Sequence, residues 1–312
     1  MTSDLVPVSG SGLAGQDLAG ALGRILAGQL TGSSITKYRR SFAAYLAFAA
    51  GRGLDPLSSG ALMDWRDNMA LETDLSPNTI NNRLTAVKRV MAEAAKRGWV
   101  VKDTADAFDA VDGVSARALK SRLRQHARTP ISPEVMRRIC EHPDPATLVG
   151  LRDRALLFLL ASSGCRVSEV VGLRLDAFRR KGRGWVVEVM GKRDTMPRPA
   201  PVTVEAKGHV DRWLAARPIL SDWVITGFAG RGARPLDKPL TATSAWSIVQ
   251  GHASAVGLEH VKPHDFRRFV GTRLAKEDVK MAQAVLGHAD PATTLRHYVF
   301  PDEVDGATDD LF

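Results

Sequence analysis

Four short segments between residues 164 and 298 concentrate Arg, Lys, His and Tyr, and they set the chemistry open to this chain. In the first, GCRVSEVVGL (Gly164 to Leu173), Glu169 follows Arg166 by three residues, a spacing that puts both on one helical face. Flanked by Cys165, Val167, Val170 and Val171, this arginine is expected to be partly buried, either as a structural Arg–Glu pair or as a guanidinium held ready by its carboxylate. In the second, MGKRDT, Lys192 opens a turn between two β-rich stretches, where a lysine is either merely solvated or a proton donor. The third, KPHDFRRFVGTRL, places His264 and Arg267 on one face of a helix starting near Pro263, with Phe266, Phe269 and Val270 as its packing side. In the fourth, VLGHADPATTLRHYVF, Gly287 closes a helix, His288 follows, and Pro291 opens a last helix carrying Tyr298.

Each of these residues alone has a bland explanation as core filling, a cap or a solvated turn. Together, two arginines, one lysine, two histidines and one tyrosine, with no carboxylate cluster for magnesium and no Gly-rich phosphate loop, suit metal-independent phosphoryl transfer to a tyrosine hydroxyl. Phosphodiester oxygens gain charge in the transition state, and each guanidinium fork can bind two of them without a metal. A phenol of ordinary pKa near ~10 is a poor nucleophile at neutral pH and needs cations and a base beside it. His264 can supply the base, and Lys192 can protonate the departing sugar oxygen. No metal or other cofactor is called for.

The elements that must position these residues read as mainly α with a small β-sheet in the C-terminal part. Residues 1–30, rich in Gly, Ala, Leu and Ser, predict a flexible or weakly helical lead-in. Residues 31–112 predict a small helical domain. Ser33 and Ser34 can cap a first helix, a second covers Ser58 to Leu71, a third runs from Ser76 and Pro77 to Arg97, and Thr104 to Val111 form a fourth. In the third helix Ile80, Leu84, Val87, Val90, Met91 and Ala94 make one apolar stripe, leaving Arg83 and Lys88 for an outer face. Residues 113–131 predict a linker, because no acid occurs between Asp112 and Glu134 while Arg117, Lys120, Arg122, Arg124 and Arg128 are all basic. Such a run is either a solvated connection or a strap across a phosphate backbone. Residues 132–298 predict the second domain: helices, strands at Trp185 to Met190 and Arg198 to Val204, then helices at Val204 to Ala216, Thr241 to Val256, His264 to Ala275, Met281 to Leu286 and Pro291 to Val299.

The 312 residues carry 43 Lys plus Arg against 34 Asp plus Glu, a net +9 that hides a strong asymmetry. Residues 1–130 hold 17 bases and 12 acids, residues 131–298 hold 26 and 17, and the tail 299–312 holds five acids and no base. A basic body without membrane features favours a polyanionic partner, nucleic acid first. Cys140 and Cys165 are too few for a disulfide framework or a Cys-based zinc site, and the longest apolar run, Phe42 to Ala50, is half of what a bilayer requires. A cytoplasmic, nucleoid-associated protein is the expectation.

In their order and content the four segments resemble the tyrosine recombinase (phage integrase) family, from about Ser33 to Tyr298, in the two-domain, Xer-like layout. The resemblance matches Arg166 to the first arginine of a Gly-x-Arg-x-Ser-Glu motif, with Glu169 as its supporting acid. It matches Lys192 to the β-hairpin lysine, His264 and Arg267 to His-x-x-Arg, His288 to Leu-Gly-His, and Tyr298 to the nucleophile. Tyr298 lies ten residues after His288 where many members have nine; the nine-residue position is His297, which cannot replace a phenol. Arg268 stands where many relatives carry a second histidine, a change expected to alter phosphate contact, and the turn after Lys192 lacks the further Lys and Arg usual there. The resemblance implies a helical core-binding domain and a catalytic domain clamping double-stranded DNA, a 3′-phosphotyrosyl intermediate, and no nucleotide cofactor. It further implies strand exchange through a Holliday junction by a homotetramer or a hetero-assembly with a second recombinase. A type IB topoisomerase and a catalytically silent DNA-binding relative are the alternatives.

Overall fold

The computed structural model describes residues 15–122, 131–191, 196–230 and 234–287. The chain divides into two units, residues 1–128 and 129–312. The fold is mainly helical with small antiparallel sheets, found among the described residues in the second unit alone, as the sequence pattern predicts. Among the described residues no helix is long and apolar enough to cross a membrane.

In the first unit α4 (Pro77–Lys96) packs against α1 (Gly15–Ile25), α2 (Gly32–Gly51), α3 (Ser59–Glu72) and α5 (Lys102–Asp109). Its start is fixed by Ser76, whose Oγ accepts from Thr79 N at 3.3 Å, and by Pro77 in the first turn. All six positions of its apolar stripe are buried. Phe42, Tyr45, Trp65 and Phe108 close the core around it, and the Tyr45 hydroxyl donates to the Pro56 carbonyl at 2.9 Å. Burial pushes the Tyr45 phenol well above its ordinary range. The cap of α2 is Thr31 rather than Ser33 or Ser34: its Oγ1 accepts from Ser34 N.

Two expectations need correction here. The lead-in predicted as flexible or weakly helical carries the helix α1, which is docked rather than loose: Leu22, Ile25 and Leu26 at its end are fully buried in the core. Gly15, Gly20 and Gly23 give this segment little intrinsic helix preference, so packing and the Arg97 guanidinium, donating to Ile25 O at 3.1 Å, hold it. Lys88, expected on an outer face as a DNA-binding cation, turns instead to the C-terminus of α5, where Nζ donates to the carbonyls of Asp109, at 2.9 Å, and Val111. The described part of the basic segment stays with this unit. Asn81 accepts from Val114 N at 2.7 Å and donates to Val114 O at 3.0 Å, and Lys120–Arg122 form a short 3₁₀ turn.

The second unit is built on α7 (Leu148–Ser163), whose Ala155 to Leu160 are all buried. A helix apolar all round is a core helix. Around it lie α6 (Pro133–Glu141), capped by Ser132, the short α8 (Val167–Val171), α9 (Val204–Ala216), α10 (Ala242–Ala255) and α11 (Pro263–Glu277); α12 (Val279–Leu286) packs on α11. One sheet has order β1-β2-β3, all antiparallel, from β1 (Phe178–Lys181), β2 (Gly184–Val189) and β3 (Arg198–Val202). A second is the β4 (Thr226–Ala229) and β5 (Arg234–Pro239) hairpin. The predicted pair β2 and β3 is present with Val187 opposite Ala200, while β1, β4 and β5 were not anticipated. The sequences FRRK and RPLDKP lack the apolar alternation that marks a strand.

Candidate active site

The site begins where α7 ends. Gly164 takes a left-handed conformation (φ 62°), and a Cβ there would lie 3.1 Å from Val270 Cγ1. The chain reverses, and Arg166 becomes the N-cap of α8. Its backbone N donates to Glu169 Oε2 and its Nη1 to Oε1, both at 2.8 Å. Glu169 is 3% exposed while Arg166 is 41% exposed, so a sunken carboxylate aims a surface guanidinium. The predicted pairing is present. It acts across a helix start rather than along a helix face.

Glu169 has a second cationic partner that the motif segments omit. Arg198, the first residue of β3 and 12% exposed, donates from Nη2 to Glu169 Oε2 at 2.8 Å and from Nη1 to the carbonyl of Val285 in α12. In sequence Arg198 looks like any cation at a strand start; only its approach to α8 and α12 reveals it.

His264 and Arg267 both lie on α11, which opens with Pro263 and with Asp265 Oδ2 accepting from Lys262 N at 2.8 Å. They fare differently. His264 is exposed in the first turn, whereas Arg267 is 1% exposed and donates from Nη1 to Gly164 O at 2.7 Å and from Nη2 to Leu286 O. Arg267 thus ties the turn before Arg166 to the end of α12, which Gly287 closes with φ 62°. Arg268 pairs with Asp265 at 3.2 Å, so a carboxylate already offsets part of its charge. Lys192, His288 and Tyr298 lie outside the described residues, as do Arg124, Arg128, the expected last helix Pro291–Val299 and the acidic tail.

Rival groups are tied up elsewhere. Burial raises the thiol pKa of Cys165 beside Arg166 and pushes that of Cys140 up to about 12, which keeps both protonated near neutral pH. His209 stacks on Phe158 with centroids 4.0 Å apart, and burial lowers it to about 4, so it is a neutral core ring. Of the outer cations in the first unit, Arg117 and Lys120 are exposed and Arg122 is half-buried. Arg83 is half-buried with Nη1 3.9 Å from Met69 Sδ.

Residues 130–303 match the Phage integrase family. The chain is 30% identical over 269 residues to the tyrosine recombinase XerD of Neisseria meningitidis serogroup B, covering 73% of this chain and 89% of that protein. It is 32% identical over 257 residues to the tyrosine recombinase XerC of Mycobacterium leprae, covering 80% and 82%. Among solved structures, the Tn1549 transposon integrase in complex with circular intermediate DNA matches with a TM-score of 0.67 at 19% identity, over 96% of this chain and 99% of that one. A lambda integrase dimer bound to a COC′ core site matches with a TM-score of 0.66 at 14% identity, over 94% and 97%. At these identities the structures speak for the fold, and the family match and the Xer relatives speak for descent. This chain belongs to the phage integrase family of tyrosine recombinases, enzymes that cleave and rejoin DNA strands.

Proposed function

We propose that site-specific recombination by this chain proceeds through attack of the Tyr298 hydroxyl on the scissile phosphodiester of double-stranded DNA. The phosphorus–O5′ bond breaks as the phosphorus–tyrosyl bond forms. His264 takes the phenolic proton and Lys192 gives one to the leaving O5′. Arg166 and His288 stabilise the charge that gathers on the other phosphate oxygens, and Arg267, almost wholly buried and donating to Gly164 O and Leu286 O, adds its fixed positive charge from beneath them. The reverse step, attack by the 5′-hydroxyl of another strand, restores a phosphodiester, so the energy of the broken bond is kept and no nucleotide cofactor is required.

The observation that carries this reading is the buried Glu169 beneath the exposed Arg166 guanidinium: it fixes the fork that an incoming phosphate meets. The first-unit tyrosines do not compete, since Tyr45 is buried and Tyr38 packs on the core. Arg117 and Lys120, exposed at the end of the first unit, are the cations we place on the DNA backbone, with Arg122 and Arg83 beside them. The similar structures solved on DNA, one as a dimer on a core site, support DNA binding by more than one copy, and the family resemblance adds strand exchange through a Holliday junction by a homotetramer or with a second recombinase.

The test is a nicked suicide duplex whose released fragment diffuses away after cleavage. Wild-type protein is expected to accumulate a covalent DNA adduct, and Tyr298→Phe none; an adduct with the Phe variant refutes the nucleophile.

A further inference from the structure

We infer that Arg198 is a positioning residue for strand cleavage, orienting Arg166 through their shared carboxylate Glu169 while it fastens the end of α12. The inference rests on the assignment of Arg166 as a phosphate-binding group and adds a residue outside the four motif segments. Each part of the Arg198 side chain has a separate task. Nη2 donates to Glu169 Oε2, the oxygen that also receives the Arg166 backbone N–H, and Nη1 donates to Val285 O. Nε is buried with no hydrogen-bond partner among the described residues and lies against Gly287, where a Cβ would sit 2.5 Å from Nε and 2.7 Å from Cδ.

A purely structural role accounts poorly for this arrangement. A buried arginine with one unsatisfied donor weakens a fold relative to an apolar residue of similar size. What the arginine provides, and an apolar side chain does not, is a fixed distance between Glu169 and the α12 end. Without Arg198, Glu169 is tied to Arg166 alone, through its backbone N–H and Nη1, and the pair has no side-chain anchor to β3 or to the end of α12. Held by Arg198 from the side away from the Arg166 Nη1 contact, its two oxygens have one arrangement, and so does the Arg166 fork. Arg198 also starts the strand that leaves the Lys192 segment, and it abuts the residue that precedes His288 in the sequence.

The experiment measures single-turnover covalent-complex formation on the nicked duplex at saturating protein, with DNA affinity and urea unfolding recorded alongside. Arg198→Met is expected to slow cleavage on the order of 100-fold, the cost of a misplaced reacting group, with DNA affinity unchanged. Arg198→Lys, which keeps the charge but reaches one partner at a time, is expected to recover part of that rate. In an Arg166→Ala background, Arg198→Met is expected to cost little more, because the group it orients is gone. Should Arg198→Met not fold, Arg198→Lys in the two backgrounds carries the same comparison. A wild-type rate in both Arg198 variants, or an equal fold-loss with and without Arg166, overturns the inference. Arg166→Ala cleaving at the wild-type rate overturns the reading of the site itself and is visible without any Arg198 variant.

Discussion

Each unit sinks one glutamate beneath cations, and the two sites differ in where the cations come from. In the first, Glu93 is 4% exposed and takes Lys96 at 2.8 Å and Arg89 at 3.2 Å from its own helix, with Gln29 Nε2 at 2.9 Å from the α1–α2 connection. In the second, Glu169 takes Arg166 from a helix start and Arg198 from a strand, and Arg198 continues to a third element, α12. A network drawn mostly from one helix supports that helix and one neighbour. A network drawn from separate elements fixes the distances between them, which a reacting phosphate requires.

The largest expected effect tests that contrast. Glu169→Gln keeps the shape but loses the charge, and cleavage at saturating protein is expected to fall on the order of 100-fold with DNA binding retained. The comparison is made where variant and wild type are both fully folded, because Arg198 is left buried beside a neutral amide. If cleavage is unchanged there, the two glutamates are equivalent props. The reciprocal substitution, Glu93→Gln, is expected to lower stability by about 1–3 kcal/mol in urea unfolding, leaving the cleavage rate of the folded protein as it was. A cleavage defect without a stability loss would reverse the assignment.

Acid should separate the units more gently. Hydrogen bonds from Lys96 and Gln29 hold the Glu93 carboxyl below its ordinary range, so its contribution is present above the unfolded carboxylate pKa and lost only as pH falls below it. His209 is lowered by burial from 6.5 to about 4, so the unfolded chain takes up this proton first. Its contribution is intact above about pH 6.5 and lost as pH falls from there toward 4. The second unit is therefore expected to weaken at higher pH than the first. His209→Phe, which can keep the stack on Phe158, should flatten the difference in unfolding midpoint between pH 7 and pH 5, and an undiminished slope would rule His209 out as its source.

Much of the positioning was legible because it is local. Ser58, Ser76 with Pro77, and Ser132 with Pro133 announce helix starts by chemistry that acts within one turn, and each of them is a cap here. The helix Val204–Ala216 needed only periodicity, and the three-residue spacing of Arg166 and Glu169 sufficed to pair them. What stayed hidden depends on residues far along the chain. Gly-rich α1 exists by docking, β1 and the proline-bearing β5 exist by pairing, and Lys88 looked outward until α5 folded beneath it. The equal spacing of His264 and Arg267 likewise concealed that one is exposed and the other almost wholly buried.

The end of α12 has an electrostatic consequence. A helix C-terminus carries the equivalent of roughly half a negative charge on its unpaired carbonyls, a poor thing to point toward a polyanion. Here two consecutive terminal carbonyls, those of Val285 and Leu286, each receive a guanidinium, from Arg198 and Arg267. Two full positive charges thus sit on a helix end that carries about half a negative one, and even with Glu169 paired to Arg198 the fixed charges there offset the dipole.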